Sequence, residues 1–134
     1  MRGDEMARAK QLTIPAEDRP GTLARIAKLL EQANINIVAM NCATFGTHGG
    51  AIQILVDDLQ KAEDVLDHQR LPYTEQDVLY LELENAPGCL AELAGKLAAQ
   101  EINVTSGYAT IVKGCKKAAV VLNVSDLEAA ARIH

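Results

Sequence analysis

Two stretches of the chain repeat each other, and this repeat limits the possible fold more than any other feature. Residues 11–37 align with residues 78–104 without a gap at an offset of 67, so Pro20-Gly21 meets Pro87-Gly88. Eight further pairs are identical at this offset: Leu12, Glu17, Leu23, Ala24, Ala27, Leu30, Ile35 and Asn36 meet Leu79, Glu84, Leu90, Ala91, Ala94, Leu97, Ile102 and Asn103. A duplicated pattern of this kind predicts two tandem modules of one fold.

Each repeat predicts the same order of elements. In the first repeat a short strand over 12–17 and a turn over 18–21 precede an amphipathic helix, whose inner residues follow the i, i+3, i+4, i+7 spacing: Leu23, Ile26, Ala27 and Leu30. Asn34 ends this helix because asparagine tolerates the left-handed conformation of a C-cap. Strands over 35–43 and 51–56 flank a glycine-rich hairpin turn over 46–50.

A second helix from Leu59 to Gln69 and a fourth strand from Tyr73 complete the first repeat. The order β-α-β-β-α-β is that of the ferredoxin-like unit. We therefore predict an α+β fold of two tandem modules, each with helices on one face of an antiparallel sheet. Beyond the hairpin the offset becomes 68, so the second hairpin is one residue longer.

The repeats place the first module at 10–78 and the second at 79–134. Because no turn signal interrupts residues 73–84, they form either one long strand or two strands with a bend. The second repeat ends at His134 without residues for its own fourth strand, which leaves the edge of the strand over 78–84 open. The strand running on from Tyr73, residues 8–11 or a second copy of the chain could cover this edge. We favour the second copy, in a two-fold homodimer, over a monomer whose edge is guarded by Glu82 and Glu84.

The composition excludes several classes of protein. Of the 134 residues, 49% are hydrophobic and 23% are charged, which is sufficient for a folded core. No apolar stretch approaches the roughly 20 residues of a membrane span, and the first ten residues lack the apolar core of a signal peptide. We therefore expect a cytoplasmic protein without a membrane partner. The net charge of −5 and the scarcity of aromatic residues argue against nucleic acid as a partner.

The ferredoxin-like unit also occurs in enzymes, metal carriers and RNA-binding proteins, and the loops argue against each. The third strands, AIQILV and AAVVLNV, lack aromatic residues for base stacking, and the first loops, EDRPGT and ENAPGC, lack the C-x-x-C of a metal carrier. An arginine-bearing phosphate loop is not shared, because Arg19 is replaced by Ala86. We predict a protein without catalytic residues, metal or cofactor.

The block shared by both repeats has the form E-[DN]-x-P-G-x-L-A-x-[IL]-A, with an asparagine inside I-N-[IV] fifteen residues after the glycine. This combination, present twice over about residues 10–134, resembles the ACT domain. The resemblance implies βαββαβ modules that bind amino acids and regulate metabolic enzymes, and the whole chain is similar to stand-alone tandem ACT proteins. It also implies a small amino-acid ligand between two modules and a separate enzyme or regulator as partner.

An amino acid needs hydrogen-bond donors for its carboxylate and acceptors for its ammonium group. A glycine that opens a helix supplies free N–H groups and allows close approach of an anion. A loop Asp or Asn offers an oxygen to the ammonium, and an Asn on the second strand offers both a donor and an acceptor. The resemblance implies two ligand-binding sets: Asp18, Gly21, Thr22, Leu23 and Asn36 in the first repeat, and Asn85, Gly88, Cys89, Leu90 and Asn103 in the second.

Each of these residues also has a purely structural interpretation. Asp18 and Asn85 are good helix N-caps, the glycines suit Pro-Gly turns, and the strand asparagines can cap strand ends. The carboxylate of Asp18 would repel a ligand carboxylate, which favours the second repeat as the binding site. The leading function is a non-enzymatic protein that senses an amino acid and signals to a separate partner. The alternative is a regulatory or assembly subunit that mediates protein–protein contact without a ligand.

Overall fold

The computed structural model describes residues 6–17, 19–44 and 49–133. The elements in this part of the chain are β1 (Met6–Ala16), α1 (Thr22–Gln32), β2 (Ile37–Thr44), β3 (Gly50–Val56), α2 (Leu59–His68), β4 (Thr74–Glu84), α3 (Cys89–Ala99), β5 (Val104–Thr110), β6 (Lys117–Val124) and α4 (Leu127–Ala131). The predicted α+β class and its two βαββαβ modules are confirmed. Most of the predicted hairpin turn over 46–50 lies outside the described residues.

Two compact units make up the chain. The first module is Lys10–Gln76, and the second is Asp77–His134 together with Met1–Ala9. The strands β1 and β4 are therefore both divided between the modules. Residues 10–16 of β1 and 74–76 of β4 belong to the first module, and residues 6–9 of β1 and 77–84 of β4 belong to the second. Residues 73–84 contain one continuous strand, Thr74–Glu84, rather than two strands with a bend.

The first module contains a sheet with the strand order β2-β3-β1-β4. β1 and β3 are antiparallel, with Leu12 opposite Ile54 and Ile14 opposite Ile52. Because strand residues alternate between faces, these four side chains share one face and pack against α1 and α2. The buried residues of this core are Leu12, Ile14, Ile26, Leu30, Ile35, Ile52, Ile54, Ala62 and Leu66.

Most of the predicted helical stripe points into this core. Ile26 and Leu30 are buried and Ala27 is half-buried, as the periodicity predicts. Leu23 is the exception, because 38% of its surface stays exposed. It lies in the first turn of α1, at the end of the helix where the loop begins, so the prediction that it is an inner residue was wrong.

The second module repeats this architecture with a strand from elsewhere in the chain. Its strand order is β1-β4-β6-β5, with Leu79 opposite Leu122 and Leu81 opposite Val120. The core is Leu79, Leu81, Leu83, Leu93, Leu97, Ile102, Val120, Leu122 and Ala130. Residues 6–9 belong to this module, and β1 is hydrogen-bonded to β4. The edge of β4 is therefore paired within the chain, and the open-edge argument for a homodimer no longer applies.

Candidate functional site

The helices α1 and α3 begin with the same backbone geometry. Gly21 has φ 95° and Gly88 has φ 90°, both in the left-handed region that glycine adopts without strain. Neither residue provides a side chain to cap its helix, and among the described residues no side-chain hydrogen bond caps the first turn of α1 or α3. In α1 the N–H groups of the first turn are available to an anion, whereas in α3 the N–H of Cys89 donates to the carbonyl oxygen of Ala86 at 3.3 Å.

A groove of about 630 Å³ lies at the start of α1 in the first module. Its walls come from the end of β1, the loop and first turn of α1, the hairpin before β3, and the connection between α2 and β4. The lining residues are Ile14, Pro15, Ala16, Glu17, Arg19, Pro20, Gly21, Thr22, Arg25, Ile26, Gly49, Gly50, Leu71 and Pro72. Two of the predicted site residues, Gly21 and Thr22, thus line one groove.

Two arginines give this groove a basic wall. The Nε atom of Arg19 lies 3.1 Å from Oε2 of Glu17, so a carboxylate of the groove itself partly neutralises this guanidinium. Arg25, one turn into α1, makes no ion pair with a described residue and is exposed. The hydroxyl of Thr22 donates to the carbonyl oxygens of Glu17 at 3.1 Å and Arg19 at 3.3 Å, which holds the loop against the helix. Asp18, predicted for this site, lies outside the described residues.

The corresponding loop of the second module has different chemistry. The side-chain amide of Asn85 donates to the carbonyl oxygen of Cys115 at 3.2 Å, and its backbone N–H donates to that of Lys116 at 2.8 Å. Cys89 packs partly against the core, and Leu90 leaves 60% of its surface exposed. At the position of Arg25 stands Glu92, which pairs with Lys96 at 3.4 Å.

The strand asparagines lie at the opposite ends of these helices. An 11-residue helix is about 16 Å long, and α1 separates Gly21 from Asn36. Asn36 lines a separate groove of about 460 Å³ with Glu31, Asn34 and Asp57. Within the first module, one amino acid therefore cannot contact both Gly21 and Asn36. The same helix length separates Gly88 from Asn103 in the second module.

A paired hydrogen-bond arrangement holds each strand asparagine. The N–H of Asn36 donates to Oδ1 of Asp57 at 3.0 Å, and the N–H of Asp57 donates back to the carbonyl of Asn36 at 3.1 Å. In the second module the hydroxyl of Ser125 replaces the carboxylate of Asp57, and both corresponding distances are 2.9 Å. These hydrogen bonds use the backbone of each asparagine, so its side-chain amide is not involved in them.

The first module also carries a concentration of carboxylates on α2 and β4. A hydrogen bond with Glu75, partial burial, and the charges of Glu75, Asp67 and Asp64 raise the pKa of Glu63 from 4.5 to about 7. Desolvation and a hydrogen bond with Asp67 raise the pKa of Tyr73 to about 12. Lys10 Nζ lies 3.9 Å from Oε1 of Glu75. We name Glu63, Asp64, Asp67 and Glu75 the acidic face.

Sequence reasoning missed both Arg25 and the acidic face. It selected residues shared by the two repeats, whereas Arg25 is replaced by Glu92 and Glu63 by Ala131. The i, i+4 spacing of Gly21 and Arg25 was the available signal, since it places a cation one turn above a helix N-terminus. Within the described ranges, no group of His, Cys, Asp and Glu side chains is suited to a metal ion, and no helix could span a membrane.

The chain is similar to several known proteins. A family model described as "ACT domain pair" matches residues 7–133, and a search of curated proteins returns no match. The solved structure of protein BT0572 from Bacteroides thetaiotaomicron is similar with a TM-score of 0.85 and 28% identity, over 93% of this chain and 85% of that chain.

Two further solved structures share the fold at lower identity. The regulatory subunit of aspartate kinase from Thermus flavus has a TM-score of 0.69 and 17% identity, over 97% of this chain and 93% of its own. Aspartokinase alpha and beta subunits give a TM-score of 0.65 and 16% identity, over 96% and 93%. Since the family model spans almost all of the sequence, the chain belongs to the ACT domain pair family.

Proposed function

We propose that this chain is a non-enzymatic regulatory protein that binds a free amino acid and passes that state to a separate enzyme. Membership of the ACT domain pair family supports a regulatory role. Among the structures of the same fold are regulatory subunits of aspartate kinase, in which an ACT pair accompanies a metabolic enzyme. The observation that carries the proposal is the groove at the start of α1, where an uncapped helix N-terminus and Arg25 face the same space.

The groove offers partners for both charged groups of an amino acid. The free N–H groups of the first turn and the guanidinium of Arg25 are donors for the carboxylate. Glu17 lines the same groove, and its carboxylate can accept a hydrogen bond from the ammonium group of the ligand. This hydrogen bond would replace part of the ion pair between Glu17 and Arg19. These charges favour the first module over the second, where Glu92 would repel a carboxylate and Asn85 is hydrogen-bonded to the hairpin.

Asn36 enters this proposal through a second copy of the chain. Since α1 separates Asn36 from Gly21, an asparagine that completes the groove must come from another module. The groove around Asn36 contains Glu31 and Asp57, whose carboxylates complement an ammonium group. We propose a homodimer in which this acidic groove of one copy meets the basic groove of the other, with the ligand between them.

The alternative, an assembly subunit without a ligand, draws its support from the second module. Its loop residue Asn85 is engaged with the hairpin, and Leu90 is exposed on the adjacent helix turn. This arrangement suits contact with a protein better than capture of a carboxylate. The two candidates assign their function to different modules, so the same set of variants can separate them.

Thermal shift with each of the twenty amino acids, followed by calorimetry on any hit, tests the proposal. A true ligand raises the melting temperature by mass action. Arg25→Ala should weaken its binding by about 1.5–3 kcal/mol, the typical value of a hydrogen bond to a charged group. Lys28→Ala is the matched control, because Lys28 is an exposed cation on the same helix outside the groove lining.

Two results would count against the proposal. If no amino acid at millimolar concentration changes the melting temperature, the assembly alternative takes its place. If an amino acid binds but Arg25→Ala and Lys28→Ala have equal effects, the ligand lies outside the groove at α1. Asn103→Ala then tests the second module, where loss of about 1–3 kcal/mol would indicate contact with Asn103.

A further inference from the structure

The β5–β6 hairpin of the second module combines apolar exposure with positive charge. Ile111 and Val112 leave 63% and 54% of their surfaces exposed, more than most large hydrophobic side chains of the described chain. Lys113, Lys116 and Lys117 follow within six residues, and none forms an ion pair with a described residue. We name these five residues the hairpin patch.

Backbone and side-chain hydrogen bonds fix the shape of this hairpin. The N–H of Cys115 donates to the carbonyl of Val112 at 3.0 Å, which closes the turn. Asn85 donates from its backbone to the carbonyl of Lys116 and from its side chain to that of Cys115. A hairpin held in this way loses little conformational freedom when it binds, which favours a docking role.

The charge of the chain itself indicates what the hairpin patch would contact. The net charge is −5, so the remainder of the chain carries −8 once the three lysines are set aside. A surface of that charge is repelled by anionic lipid, which argues against a membrane as the partner. A second copy, in contrast, offers carboxylates at high density, and it is present wherever this protein is present.

We propose that the hairpin patch of one copy docks on the acidic surface of a second copy. The acidic face brings four carboxylates of α2 and β4 close enough to influence one another, and Tyr73 lies half-buried beside Asp67 there. Carboxylates there pair with the lysines, and the ring of Tyr73 provides apolar surface and a cation–π partner. A hydrogen bond with Glu75, partial burial and the neighbouring carboxylate charges raise the pKa of Glu63, and approaching cations offset the repulsion among those charges.

Analytical ultracentrifugation of the full chain tests this contact at 50 and 500 mM salt. At 50 mM salt the mass should exceed 14.4 kDa and rise with concentration, and the association constant should fall about tenfold at 500 mM salt because exposed charge pairs are screened. Reversal of the hairpin charge by Lys113→Glu, Lys116→Glu and Lys117→Glu should weaken association by about tenfold or more. The matched control reverses three exposed cations outside both surfaces: Arg8→Glu, Lys28→Glu and Arg132→Glu.

A second, complementary variant shows whether a loss of association comes from charge reversal or from misfolding. The variant Glu63→Lys, Asp64→Lys and Asp67→Lys should associate poorly alone but recover association when mixed with the reversed hairpin. A monomer under all conditions, or equal effects of the hairpin and control reversals, would overturn the proposal. Binding of the chain to phosphatidylserine vesicles without self-association would also overturn it. Amino-acid binding by the reversed hairpin should stay intact, because the hairpin patch lies outside the groove at α1. Loss of the hairpin contact alone therefore leaves the groove unaffected, whereas a monomer under all conditions would also remove the second copy proposed to supply Asn36.

Discussion

The two modules share a backbone and a core but differ in the chemistry at the start of their first helices. Gly21 and Gly88 have nearly equal φ angles, and the helices that follow have the same length. The first loop adds Arg19 and Arg25, whereas the second places Ala86 and Glu92 at those positions. The two helix starts thus share a backbone geometry, while only the first carries arginine side chains at these positions.

The faces of the sheets opposite the cores differ in the same way. In the first module, Asn41 donates to Gln53 at 3.1 Å and Thr13 donates to Gln76, so polar side chains cover this face. In the second module, Val121 stands between Tyr80 and Tyr108 on the neighbouring strands. The core-facing positions are therefore similar in the two repeats, whereas the outward-facing positions distinguish the two modules.

Truncation of equivalent core leucines is expected to have the largest effect and tests how far the cores are alike. Leu30 and Leu97 are equivalent and buried in their respective clusters. Leu30→Ala and Leu97→Ala should each reduce the free energy of unfolding by about 2–5 kcal/mol through lost burial and a residual cavity. Urea unfolding measures both. A difference between them of more than about 2 kcal/mol would show that the two cores are not equivalent.

Exchange of charge at the helix starts is expected to have an intermediate effect on ligand binding. Glu92→Arg gives the second loop the cation of the first and should improve amino-acid binding there by about tenfold, or about 1.4 kcal/mol. Arg25→Glu should remove binding at the first module. Calorimetry with the amino acid identified for the wild type measures both changes. If Arg25→Glu leaves the affinity unchanged, charge at this position does not distinguish the modules.

The smallest expected effect is a pH dependence confined to the first module. Because the pKa of Glu63 is raised from 4.5 to about 7, the folded chain binds this proton more tightly than the unfolded chain. The stabilisation of the folded chain that comes from the protonated carboxyl of Glu63 is fully present below pH 4.5 and is lost as the pH rises through 7. The second module has Ala131 in place of Glu63.

Glu63→Gln should therefore reduce the dependence of the melting temperature on pH between pH 5 and 8. It should also raise the melting temperature at pH 8, where the charged carboxylates of Glu63 and Glu75 repel each other. Asp126→Asn is a control carboxylate outside the acidic face, at the N-cap of α4, and it should leave the dependence in this window unchanged. The assignment to Glu63 is wrong if the variant and the wild type show the same slope in this window.

Much of the fold followed from the sequence because its signals are local. The alternation of strand residues and the spacing of Ile26 and Leu30 predict which side chains a single element buries. The helix end at Asn34 was also readable, since its φ of 59° is one that asparagine tolerates. Glu101, at the equivalent position, adopts φ 58° although its residue type does not favour this conformation. At Glu101 the fold of the repeat, rather than the preference of the residue type, determines the backbone conformation.

The candidate site was predicted only in part. Gly21 and Thr22 were identified because both repeats carry the same Pro-Gly block, and they line the groove. Arg25 was missed because it occurs in one repeat alone. The separation of Gly21 from Asn36 follows from the length of α1, which the periodicity had already predicted, so this distance could have been inferred before the structure was known.

The duplication is visible in the amino-acid sequence at an offset of 67. The order of elements and most core positions could also be predicted from it, because helix and strand periodicity depends on residues a few positions apart. Tertiary structure decided how the second module obtains its fourth strand. That strand comes from residues 6–9, which are far from β4 in sequence, so local residue patterns do not indicate which strand pairs with β4. Tertiary structure also decided which loop residues face a common groove, because such proximity arises only when distant elements pack together.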